Sequence, residues 1–85
     1  MKQFSYTITD ELGLHARPAG LLVKAAAGFK SKVTIECGDK KADARRIMAV
    51  MSMGAKKGNV LNIAVEGEDE EAAAAGLEDF LKANL

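Results

Sequence analysis

His15 is the only histidine of the 85-residue chain, and it stands two residues before Arg17 and directly ahead of the only proline's neighbourhood, in the segment Gly13-Leu14-His15-Ala16-Arg17-Pro18-Ala19. An unprotonated imidazole nitrogen is a competent nucleophile, and histidine side chains titrate near neutrality. Arginine adds a permanent cation whose planar fork of donors matches a phosphate. Together these residue types describe a place where an imidazole takes up a phosphoryl group and releases it.

The backbone around them strengthens that chemistry. Proline fixes φ and lacks an N–H, so it suits the first turn of a helix. The spacing predicts a helix beginning at about Arg17 or Pro18, after a loop that uses the freedom of Gly13. A helix start carries N–H groups without partners and the positive end of the helix dipole, so anions bind there. No Ser, Thr, Asp or Asn lies between Gly13 and Pro18 to cap those donors. The N–H groups of Ala16 and Arg17 are therefore candidates to hold a phosphate oxygen. A lone histidine near a helix start is more often a plain surface residue, so this segment needs support from the rest of the chain.

The elements that position it alternate between two periodicities. Phe4, Tyr6 and Ile8 alternate with polar residues as a half-buried strand. Ala19, Leu22, Val23 and Ala26 form the apolar stripe of a helix, with Gly28 as its stop. Val33, Ile35 and Cys37 make a second strand. Gly38-Asp39-Lys40 is turn-like, and Lys41-Ala42-Asp43 returns as a short third strand. Ile47, Val50 and Met51 fit a short helix closed by Gly54. Leu61, Ile63 and Val65 form a fourth strand. Asp69 caps a last helix, with Glu70 and Glu71 in its first turn and Ala73, Leu77, Phe80 and Leu81 on its buried side.

The order is βαββαβα. Each strand has one apolar face, which suits an antiparallel sheet covered by helices on one side only. The expected fold is an α+β open-faced sandwich: a four-stranded antiparallel sheet with three helices on one face, in a single domain spanning 1–85.

Composition excludes several function classes. Lys+Arg and Asp+Glu number 12 each, so the net charge is zero and nucleic acid is a poor partner. The single cysteine permits no internal disulfide, and no apolar run approaches a membrane span. The cytoplasm is the natural compartment. Cys37 sits on an apolar strand face and reads as core rather than reactive. His15, Cys37 and the methionines lack metal-ligand spacing, and Gly54-Ala55-Lys56-Lys57-Gly58 lacks the pattern of a phosphate-binding P-loop. No Ser/His/Asp arrangement supports hydrolysis.

Gly13 to Ala19 resembles the active-site signature of the HPr family, the histidine-containing phosphocarriers of the bacterial phosphoenolpyruvate:sugar phosphotransferase system. Arg46-Ile47-Met48-Ala49-Val50-Met51-Ser52-Met53-Gly54 resembles that family's second signature. The resemblance covers essentially the whole chain. It implies that His15 accepts a phosphoryl group at Nδ1 from phosphorylated Enzyme I, itself charged by phosphoenolpyruvate. His15 then passes the group to the IIA domain of a sugar permease. Arg17 and the Ala16 and Arg17 N–H groups stabilise the moving charge. The resemblance implies no metal or other cofactor, a monomer, and a carrier with a phosphohistidine intermediate rather than a free-standing enzyme.

It also implies a partner-docking face of Gly20, Lys24, Ala27, Arg46, Ile47, Met48 and Met51. Methionines suit adaptable binding surfaces. Met48 lies off the Ile47/Val50 stripe and favours the interface, whereas Met51 fits interface and core equally. One residue departs from the pattern. Gram-positive members carry at position 46 a serine phosphorylated by a regulatory kinase; Arg46 has no hydroxyl, so that regulation is absent there. The Arg45-Arg46 pair is mildly unfavourable at a helix start. It fits a surface that meets acidic partners, and equally a substitution introduced at position 46. Two other readings remain: a regulatory phosphocarrier of the same fold, and a binding module that no longer transfers.

Overall fold

The computed structural model describes residues 1–85. The chain runs β1 (Lys2–Thr7), α1 (Ala16–Ala27), β2 (Lys32–Cys37), β3 (Lys40–Asp43), α2 (Ile47–Ser52), β4 (Val60–Glu66) and α3 (Glu70–Asn84). The strands form one antiparallel sheet in the order β1-β4-β2-β3. β1 and β2 are both antiparallel to β4, which lies between them, so α1 is the crossover of a split βαβ unit. That crossover carries the His15 segment from one edge of the sheet onto its covered face.

The alternation read from the sequence becomes register. Phe4 pairs with Ile63 and Tyr6 with Leu61; on the other side of β4, Ile35 pairs with Ile63 and Val33 with Val65. These residues share the inner face. Leu22 and Ala26 of α1 and Ala73, Leu77 and Leu81 of α3 pack with them in one buried cluster. Burial of each larger aliphatic side chain there contributes roughly 1.5–3 kcal/mol. The opposite face is polar and open, with the Ser5 hydroxyl donating to the Asn62 side-chain carbonyl at 2.7 Å.

Two boundaries and two local details differ from expectation in ways that matter. The first helix begins at Ala16, with His15 as its N-cap and Pro18 in the third helical position. Proline is tolerated there because the first four N–H groups of a helix have no intrahelical acceptor. Gly28 does end α1, but in a right-handed conformation at φ −75°; its N–H reaches Ala25 and that of Phe29 reaches Ala26, a tightened last turn. The third strand gains Lys40, because Gly38-Asp39 alone suffices as the hairpin turn and Cys37 pairs with Lys40. Cys37 is half-buried, packed against the core rather than inside it.

Asp69 holds the N-cap position of α3 yet makes no side-chain cap there. Its carboxylate instead accepts the N–H of Lys30 at 2.8 Å, the N–H of Ser31 at 2.9 Å and the Ser31 hydroxyl. Ser31 is the only buried polar side chain. Gly67 lets the two loops meet: at φ +153° a Cβ on it would lie 2.7 Å from the Ser31 Cα. The β4–α3 loop therefore anchors the α1–β2 turn.

This anchor is acid-sensitive. The Ser31 hydroxyl, and next the Lys30 N–H, hold the Asp69 carboxyl below its ordinary value. A lowered folded-state value means that the contribution is fully present above the unfolded-state value of about 3.9 and is lost as pH falls through the folded one. Asp69→Asn should be less stable than wild type at pH 7, and the gap should narrow as pH falls below the ordinary carboxylate value of about 3.9. Denaturant midpoints from pH 7 to pH 2 measure it; a pH-independent gap would remove the carboxylate charge from the account.

Candidate functional site

His15 is fixed by its neighbours on both sides. Its backbone is extended (φ −92°, ψ −174°), and its carbonyl accepts the Ala19 N–H at 2.9 Å, starting the helix. Leu14 is buried and donates its N–H to the Ala55 carbonyl at 3.0 Å. Gly13 precedes it at φ +68°, where a Cβ would fall 2.4 Å from the Ala55 oxygen and 2.7 Å from the Lys56 Cα. Only glycine admits that approach. Upstream, the N–H groups of Thr9 and Asp10 donate to the Leu85 oxygen at 2.6 and 2.8 Å. The Asp10 carboxylate in turn accepts the Leu12 N–H at 2.8 Å. The loop is thus pinned to the end of α3 and to the segment after α2.

The helix start is bare. His15 makes no side-chain cap, α1 has no acidic residue in its first turn, and the N–H groups of Ala16 and Arg17 have no protein acceptor. These donors and the helix dipole converge beside a half-buried imidazole. Arg17 is exposed and takes part in none of the ion pairs of the protein. His15 and Arg17 line a common cavity of about 230 Å³ with Asp10, Pro18, Leu21, Ala83 and Asn84. The site can therefore receive an anion beside the imidazole, with donors already in place and no protein acceptor competing for them.

Asp10, Leu21, Ala83 and Asn84 were not among the residues singled out from the sequence. Leu21 carried a usable signal, since it is an apolar residue one turn after Arg17 and outside the buried stripe; it is 41% exposed. The other three reach the cavity only through the folding of α3 against the loop, which no local pattern reports.

The expected docking residues fall on two neighbouring helices. Gly20 of α1 faces Ile47 of α2, whose Cδ1 would be 3.7 Å from a Cβ at position 20. Lys24, Ala27 and Arg46 are exposed and Gly20 is half-buried. Ile47, Met48 and Met51 are 40%, 75% and 37% exposed, while Val50 is fully buried. Met51 therefore shows itself to solvent rather than filling the core; Met53, beyond the helix, is the buried methionine. Arg45 and Arg46 diverge. Arg46 is the N-cap residue of α2 and has no side-chain cap, whereas the Arg45 guanidinium turns away to the carbonyls of Phe29 and Ser31 at 2.5 and 3.2 Å.

An open-faced antiparallel sandwich with a histidine at a bare helix start defines a class of small phosphocarrier-like domains. Comparison with known proteins makes the assignment specific. A family model described as the PTS HPr component phosphorylation site matches residues 2–83. The HPr phosphocarrier of Mycoplasma capricolum is 41% identical over 81 residues, covering 95% of this chain and 91% of the relative. The crystal structure of HPr from Thermoanaerobacter tengcongensis superimposes with a TM-score of 0.92 at 42% identity, covering 98% of this chain and 93% of that one. A structure of an HPr dimer from the same organism matches at a TM-score of 0.77 and 42% identity, covering 98% and 95%. The chain belongs to the HPr family of phosphocarrier proteins of the phosphotransferase system. No helix is long and apolar enough to cross a membrane.

Gly13→Ala should cost about 1–3 kcal/mol of stability, because it combines a disfavoured φ with a backbone collision. Urea denaturation measures the loss. Amide shifts in an NMR spectrum should move most at residues 13–16 and 55–56. Wild-type stability in this variant would mean that the loop is not pinned as described.

Proposed function

We propose that His15 is the phosphoryl-carrying residue of a phosphotransferase-system relay. Its Nδ1 attacks the phosphoryl group of phospho-Enzyme I; the new N–P bond forms as the bond to the donor breaks, and Enzyme I is released unphosphorylated. The reverse polarity applies at the next step, when a nucleophile of a IIA domain takes the group from His15. The observation that carries this reading is the bare start of α1: a half-buried imidazole beside two unpartnered N–H groups and an unpaired arginine, in a chain of the HPr family.

The geometry suits transfer rather than storage. The phosphoryl oxygens meet the Ala16 and Arg17 N–H groups, and the Arg17 guanidinium closes over them from solvent. Tight binding in the carried state would slow release, because holding ground state and transition state equally gives no acceleration. An exposed arginine, screened by water, stabilises charge as it arrives and lets it go. Transfer between two protein side chains rests on alignment and charge stabilisation.

Gly20, Lys24, Ala27, Arg46, Ile47, Met48 and Met51 form the docking face for these partners. An apolar patch rimmed by cations suits weak, successive contacts with acidic partners. A monomer would present this face and His15 together to two different proteins, and the cytoplasm is the compartment of the proposed relay. The dimer seen for the Thermoanaerobacter relative makes sedimentation of the unmodified protein the natural check. A regulatory branch in place of sugar uptake would show itself by the IIA domains accepted.

Incubation with phosphoenolpyruvate, Mg²⁺ and Enzyme I should add one acid-labile phosphoryl group by intact-protein mass spectrometry. His15→Ala should abolish it and keep its fold, because the side chain is half-exposed. Persistent labelling, or an unfolded variant, would contradict the assignment. Arg17→Ala should slow transfer by about tenfold with little change in stability, the scale of one charge-assisted hydrogen bond made by an exposed side chain. Unchanged single-turnover rates would remove Arg17 from the mechanism.

A further inference from the structure

α2 is the least anchored helix. It has six residues, and only Val50 among them is buried. Helices this short are not stable on local hydrogen bonds alone. Yet α2 carries Ile47, Met48 and Met51, so its orientation sets the docking face. Something outside the helix must hold its start.

Arg45 is placed to do so. Its backbone N–H donates to the Asp43 carboxylate at 2.9 Å, closing the β3–α2 turn. Its guanidinium reaches across to the α1–β2 turn, donating to the Phe29 carbonyl at 2.5 Å and the Ser31 carbonyl at 3.2 Å. That turn is the one Asp69 anchors from the other side, by taking the Lys30 and Ser31 N–H groups. The acceptors of residues 29–31 thus face a guanidinium, and their donors face a carboxylate. The turn is a fixed hub between α3 and α2.

We infer that Arg45 is a positioning residue for partner docking. It holds the N-terminus of α2 on the 29–31 turn and leaves Arg46 as the cation of the pair free to meet a partner. One terminal guanidinium nitrogen donates to both carbonyls, and these two bonds offset the cost of a cation where the helix dipole disfavours one. Arg45 touches neither His15 nor the site cavity, so it acts on recognition rather than on chemistry. The role in docking rests on the phosphocarrier reading, whereas the tether itself does not.

Arg45→Ala tests both halves. Hydrogen exchange on the isolated protein should show the α2 amides of Val50 to Ser52 opening about tenfold faster, with the central amides of α1 and α3 unchanged. In phosphoryl transfer from Enzyme I, KM should rise several-fold while kcat stays within about twofold. Unchanged α2 exchange, or protection lost evenly from all three helices, would overturn the tether. Faster α2 exchange with an unchanged KM would overturn the docking role. If Enzyme I fails to phosphorylate the wild-type protein, the phosphocarrier reading falls, and the exchange result still decides the tether.

Discussion

A helix that offers its first N–H groups to a ligand cannot spend them on a cap. That constraint organises this molecule. A Ser or Asp at position 15 would satisfy a donor locally and stabilise α1 by about 1 kcal/mol. The chain places histidine there, leaves Ala16 and Arg17 unpartnered and secures the segment from outside instead. The Leu14 N–H bonds Ala55, Gly13 lies against the same carbonyl, and the Leu85 oxygen collects Thr9 and Asp10. Pro18 and Ala19 then bury the inner side of the first turn. Stability missing from the cap is supplied by long-range contacts, and the helix start stays open.

The same division runs through the rest of the fold. The core is drawn mainly from the sheet's inner face and the buried sides of α1 and α3, and α2 adds one fully buried residue, Val50. The elements that build the core are long and strongly periodic. The element that presents Met48 is short and held at its ends. Such an arrangement lets the proposed docking face vary in sequence without disturbing the core, since Ile47, Met48 and Met51 contribute exposed area rather than buried volume.

What the sequence could reveal follows from how local each signal is. The strands around Ile35 and Ile63 and the stripe of Leu22 and Ala26 declare themselves by period, because burial on one face forces the alternation. The uncapped start of α1 at residues 15–17 was also legible, since a missing cap is visible as missing residue types. Asp69 misleads for the same reason. A local rule makes it the cap of α3, but its carboxylate is committed to Lys30 and Ser31, 39 and 38 residues earlier in the chain. Met51 was ambiguous because a six-residue helix is too short for its stripe to define one buried side. Asp10, Ala83 and Asn84 join the cavity only when the two ends of the chain meet, and Arg45 gains its role only when three loops do.

Arg45 and Arg46 show why adjacent like charges need not act alike. Read as a dipeptide, they place two cations at the positive end of a helix. In the structure one is absorbed by backbone carbonyls, which carry their own negative ends, so its cost at the helix start is offset by two hydrogen bonds elsewhere. The other remains in solvent beside Ile47 and Met48, without a side-chain cap of its own. In the proposed relay, charge at that spot would set how fast an acidic partner arrives, and the apolar patch how long it stays. A carrier that must leave one partner for the next benefits when arrival is fast and residence is short. A free arginine next to a small methionine surface meets both requirements, provided the neighbouring arginine keeps that surface in place.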